Sequence, residues 1–192
     1  MTIYPIDINQ PNKTIYAGHL RLGGTDSQGN RLEVNNYYLT WNSKPFIVIS
    51  GEFHYSRYAE AYWEDELLKI KAGGVNMVAT YVFWNYHEEE QGNFEWEGEK
   101  NLRWFVELCA RHALKVILRC GPFSHGEWRN GGLPDWLYGQ PFEVRSNDIG
   151  YLTLVERYYG EIGKQVNGLC KCSYSRHRTP TIHYPAAISS ST

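Results

Sequence analysis

Cysteine is scarce in this 192-residue chain, and the four present, Cys109, Cys120, Cys170 and Cys172, are too few and too unevenly spaced for a disulfide framework. Neither sign of charge is in excess. Lys and Arg number 19 against 21 Asp and Glu, a formal charge of -2, so no basic field exists to draw in nucleic acid or an anionic membrane. No apolar run is long enough to span a bilayer. The opening segment MTIYPIDINQPNK lacks both the basic start and the apolar core of a signal peptide. The expectation is a cytoplasmic, reducing setting with no membrane or nucleic-acid partner, in which the sequon Asn12-Lys13-Thr14 carries no meaning. A Gly-rich phosphate turn is also missing, which argues against phosphate chemistry.

What the chain does have is aromatic side chains: 15 Tyr, 7 Trp and 7 Phe. Most read as core. A surplus of Trp and Tyr also suits a surface that stacks on the flat faces of sugar rings. Residues 1–45 read as a β-hairpin entry, with strands over 15–22 and 31–41 and the turn GGTDSQGN between them. From Lys44 the pattern alternates strand and helix. The run 45–50 is a strand ended by Gly51, and residues 62–72 form an amphipathic helix with Trp63, Leu67, Leu68 and Ile70 near one face and Gly73-Gly74 as its stop. A second strand over 75–82 leads to a helix over 102–112, buried through Leu102, Phe105, Val106 and Cys109. A third strand over 114–118 leads to a helix over 149–166, with Leu152, Val155, Tyr159 and Ile162 on one face.

Three strand-helix units in succession imply parallel strands joined by right-handed crossovers. The first strand ends in GEFHY, with no phosphate cradle, so a (β/α) barrel is favoured over a doubly wound sheet. Eight such units need about 250 residues, and this chain has room for three. The fold class is therefore α/β, an incomplete (β/α)8 barrel over residues 46–168 behind the hairpin. Residues 169–192 carry no apolar periodicity and read as a disordered tail. Cys170, Cys172, His177 and His183 in that tail fit no zinc spacing, so neither metal nor cofactor is expected.

Barrel sites lie at the carboxyl ends of strands. There the sequence places His54, Tyr81, Asn85, Glu88, His125 and Glu127, with Trp84 and Trp128 beside them. Carboxylates, an amide, a phenol and indoles suit a hydroxyl-rich ligand. Glu52 and Glu88 fit equally well as structural partners of arginine or backbone amides. His54 and His87 read as packed, hydrogen-bonded histidines, with Arg57 and Arg119 as charge partners in this group. The acidic run from Glu88 to Glu90 reads as a solvated face.

Four ordered segments, ISGEFHYSR, AYWEDELLKIKAGGVN, TYVFWNYHE and LRCGPFSHGEWRNGGLPDWL, together resemble the start of the catalytic barrel of family 35 glycoside hydrolases, the β-galactosidases, over residues 46–166. The resemblance implies that Tyr81 contacts galactose and that His125, Gly126 and Glu127 form the loop that holds the sugar hydroxyls. The family more often has Cys-Ala where this chain has His125 and Gly126. It also implies retaining hydrolysis of terminal β-galactosides by two glutamates about 5–5.5 Å apart. In the family the acid/base lies in an Asn-Glu pair after the fourth strand, and the nucleophile follows the seventh. Neither motif is present, so no catalytic residue is assigned. The chain is expected to be a truncated or frame-shifted fragment, inactive alone. A non-catalytic carbohydrate-binding fragment and a glycosidase of another specificity in the same barrel clan are the alternatives. Open strand edges and a wet barrel face predict low solubility or a molten state.

Overall fold

The computed structural model describes residues 4–5, 12–20, 22–25 and 29–169. These fall into two compact units, divided in sequence between Pro45 and Phe46.

In the first unit, β1 (Gly23–Thr25), β2 (Arg31–Val34), β3 (Leu39–Trp41) and β4 (Lys44–Phe46) form a sheet in chain order. The expected two-strand hairpin is thus corrected to a four-stranded meander. Segment 31–41 does not stay extended, because the Asn35 side-chain carbonyl accepts the N–H groups of Tyr37 and Tyr38, both at 2.8 Å. That turn folds β3 back on β2 with Val34 opposite Leu39. A second turn follows at Asn42 and Ser43, whose φ values of 50° and 63° are the left-handed pair of a tight hairpin. Among the described residues of the strand expected over 15–22, the structure keeps a single bridge, Ala17 to Asn35.

In the second unit, β5 (Ser50–Glu52), β6 (Met77–Tyr81) and β7 (Lys115–Arg119) are parallel and adjacent in that order. Helices α1 (Trp63–Ala72), α2 (Trp84–His87), α3 (Leu102–Arg111) and α4 (Ile149–Val166) connect and follow them. The first strand begins later than 45–50 because Asn76 occupies its lead-in. The Asn76 amide accepts from Ile49 N at 3.0 Å and donates to Ile47 O at 2.8 Å, replacing ladder bonds. Ile47 and Ile49 are left 75% and 50% exposed.

Side chains alternate across a sheet. The row Gly51, Val78 and Val116 faces the helices, where Val78 joins Trp63, Leu67, Phe105, Leu108 and Cys109 in one buried cluster. The helix phases differ slightly from expectation. Leu68 of α1 is exposed, and Leu108 replaces Val106 in the buried stripe of α3. On α4 the buried residues are Tyr151, Val155, Tyr158, Ile162 and Val166. The turn from Tyr159 to Tyr158 has a cause: the Tyr158 ring stacks on Trp84 at 4.7 Å, and its hydroxyl donates to Val82 O at 2.7 Å. Asn101 and Asp148 cap α3 and α4 by accepting N–H bonds from Trp104 and Gly150.

The opposite face of the sheet carries Met77 and Lys115, then Glu52, Ala79 and Ile117, then Tyr81 and Arg119. Three of these seven are charged, Ala79 and Tyr81 are buried, and Ile117 is the one exposed large apolar residue among those named. No helix among the described residues is long and apolar enough to cross a membrane. The tail from Cys170 onward, with Cys172, His177 and His183, lies outside the described residues.

Candidate functional site

The three strands deliver their carboxyl ends to one edge of the second unit. After β5 come His54 and a 3-10 turn, Tyr55–Arg57. After β6, Phe83 leads into the short α2. After β7, residues 121–132 form a loop that closes on itself, with Ser124 N donating to Gly131 O at 2.7 Å and Gly131 N to Trp128 O at 2.9 Å.

Glu127 and Asn130 of this loop hold φ near 50° and 54°, in the left-handed region that side chains disfavour. Three groups hold the loop in place. The guanidinium of Arg57 donates to Gly126 O and, at 3.2 Å, to Glu127 O. Trp128 stacks on Phe83 at 4.3 Å with an interplanar angle of 8°. The Trp128 indole N–H donates to Asn85 Oδ1 at 2.7 Å, and the Asn85 amide donates to Arg129 O at 3.0 Å. Asn85 and Trp128, grouped with ligand contacts in the sequence analysis, therefore hold the loop through these atoms.

Tyr81 lies against this loop. Its ring is 5% exposed, and a Cβ added to Gly126 would lie 3.0 Å from Tyr81 Cδ2. Gly126 thus brings bare backbone up to the phenol ring. Next to it, Glu127 is exposed, and its carboxylate has no hydrogen bond or ion pair among the described residues. His125 is also exposed, its ring edge-on to Phe123 at 5.0 Å. The structure therefore places Tyr81, Gly126 and Glu127 side by side.

Behind Tyr81, His54 Nδ1 accepts the Tyr81 backbone N–H at 3.2 Å, which leaves the proton on Nε2, 3.7 Å from Glu52. Burial lowers the His54 pKa first, the positive charges of Arg57 and Arg119 push the same way, and Glu52 opposes them. Glu52 is ion-paired with Arg119, whose guanidinium lies 3.8 Å from the centre of the Tyr81 ring. Glu52 is thus a partner of arginine, one of its two expected readings, and no local sequence signal marks the contact of Arg119 with Tyr81.

Glu88 is a structural group. It is fully buried and accepts from Trp84 Nε1 at 2.6 Å, from Gly92 N at 2.6 Å and from Arg157. Its charge partner is thus Arg157 of α4, which no local sequence signal marks, and not Arg57 or Arg119. Trp84 is fully buried between these contacts and Tyr158. His87 is packed as expected. Its Nε2 accepts from the Tyr55 hydroxyl at 2.6 Å, its Nδ1 donates to Glu95 O at 2.9 Å, and burial lowers its pKa to about 4. Of the strand-end carboxylates Glu52, Glu88 and Glu127, one is free, whereas a double displacement needs two. No cluster of metal-ligating side chains occurs among the described residues.

The family model described as "Glycosyl hydrolases family 35" matches residues 38–173. The beta-galactosidase of Xanthomonas manihotis is 43% identical over 129 residues, 67% of this chain and 22% of the relative. Those of Canis lupus familiaris and Homo sapiens are 43% and 42% identical over 120 residues, each pairing 62% of this chain with 18% of the relative. The chain thus spans about a fifth of the length of these curated relatives. Among solved structures, the exo-beta-1,4-mannosidase Op5Man5 from Opitutaceae bacterium strain TAV5 matches with a TM-score of 0.55 at 16% identity, over 78% of this chain and 25% of that one. That likeness is one of fold.

Proposed function

The chain belongs to glycosyl hydrolase family 35, and from that membership we propose that it forms one wall of a β-galactosidase site, the wall that receives the galactosyl ring. Tyr81, Gly126 and Glu127 are the residues proposed to touch the sugar, with His125 bordering them. The observation that carries this reading is the packing of Tyr81 on Gly126 beside a free Glu127 carboxylate, at the carboxyl ends of β6 and β7.

The chemistry is direct. An ionised carboxylate accepts bonds from two neighbouring sugar hydroxyls, and a phenol both donates and accepts. Arg57 fixes the carbonyls on either side of the Glu127 Cα, so the loop is ordered before the ligand arrives. Orientation of the ring is the contribution of this wall to catalysis. Proton transfer and nucleophilic attack belong to two further glutamates, and the strand-four and strand-seven motifs that would supply them are absent from these 192 residues. In the complete barrel, the three units seen here would be the first three of eight.

The test is calorimetric titration of the chain with galactose, beside Glu127→Gln. A saturable heat lost in the variant is expected, with no release of nitrophenol from a nitrophenyl β-galactoside by the chain alone. Equal heats from both proteins would refute the assignment.

A further inference from the structure

Arg119 spans the open face of the sheet in a way that its ion pair alone does not explain. It sits on β7 in register with Tyr81 on β6, yet its guanidinium reaches Glu52 on β5, the far strand. To do so it crosses the Tyr81 ring, 3.8 Å from the ring centre. The pair is solvent-exposed, at 37% and 56% for the two side chains, and exposed pairs of this kind add little to stability. Its effect is on the ring beneath it, which is only 5% exposed. The other contacts of that ring are Phe83 at 5.5 Å, His54 at 5.3 Å and the bare backbone of Gly126. A planar guanidinium held at one end by a carboxylate is a flat cover, which a lysine ammonium is not.

We propose that Arg119, anchored by Glu52, is a positioning residue for Tyr81: it fixes the phenol ring against Gly126 and thereby sets the affinity of the site for a galactosyl ring. The last clause rests on the reading of the site given above. The placement of the ring does not.

The two parts separate in one experiment on the 192-residue chain carrying ring-labelled tyrosine. The Tyr81 ring signal is assigned by its loss in Tyr81→Phe. Arg119→Met and Glu52→Gln should both shift or broaden it, and Arg119→Lys should not restore it. The signals of Tyr55 and Tyr158, buried on the helix side, should stay in place and report an intact fold. In galactose titrations, Arg119→Met should weaken binding several-fold, and Arg119→Met with Tyr81→Phe should bind no more weakly than Tyr81→Phe alone. An unmoved Tyr81 signal in both Arg119→Met and Glu52→Gln overturns the proposal. Losses that multiply in the double variant also overturn it, since Arg119 would then act on the sugar directly. If the parent chain binds no galactose, the sugar reading fails, and the ring signals still decide whether Arg119 places Tyr81.

Discussion

Arg157 of α4 reaches the wholly buried carboxylate of Glu88, 69 residues away in sequence, and pins the last helix of the second unit to the turn after β6. Removing one partner of such a pair leaves a charge without compensation in a dry environment. Arg157→Met is expected to destabilise the chain by about 3 kcal/mol. Urea unfolding followed by circular dichroism reads this directly, and an unchanged midpoint would contradict the tether.

The assignments that changed between sequence and structure have the same cause. Apolar runs, glycine stops and helical spacing are local properties, and they placed the second and third strands and the helices of all three units, whereas the first strand lies at Ser50–Glu52 and not over 45–50. Which polar group meets which is not local. Glu88 and Asn85 stand at a strand end and look like ligand contacts, yet one pairs with Arg157 and the other holds Trp128. The buried face of α4 turned by one residue because Trp84, far away in sequence, offers Tyr158 a ring to stack on. The lead-in to β5 was set by the side chain of Asn76. Tyr81, His125 and Glu127 are marked by their place at strand ends, Gly126 and the sugar-contact roles of all four come from resemblance, and Gly126 lets the loop backbone approach the Tyr81 ring.

His87 makes stability depend on pH. Its folded pKa of about 4 lies below the ordinary value of 6.5, so the unfolded chain takes up a proton that the folded chain refuses. Stability from this group is complete above pH 6.5, falls as the pH drops toward 4 and then levels off. The full loss is at most about 3 kcal/mol. Urea midpoints measured across this window should decline with acid, and less steeply in His87→Gln. A flat profile for the parent chain would contradict the burial of a neutral imidazole.

Gly126→Ala tests the close approach to Tyr81. The new methyl would lie 3.0 Å from Cδ2 and 3.1 Å from Cε2 of the ring, tighter than ordinary contact, and the ring is expected to shift. A cost of about 1 kcal/mol is expected, together with a shifted Tyr81 ring signal and altered galactose affinity. An unmoved signal would show that the loop yields and the ring does not.

Asn85→Ala removes the acceptor of the Trp128 indole N–H and the donor to Arg129 O. The loss should be about 1–2 kcal/mol, with faster amide exchange across residues 124–131 and a red shift of tryptophan emission. Unchanged exchange in that loop would mean that Arg57 and the Phe83 stack suffice to hold it.

The most direct measurement is galactose titrated into the isotopically labelled chain, with the amide and ring signals followed individually. Saturable shifts are expected, centred on Gly126, Glu127 and the Tyr81 ring, abolished by Glu127→Gln and absent along α1. Shifts that never saturate, or that persist unchanged in Glu127→Gln, would contradict the assignment of this wall to a galactosyl ring.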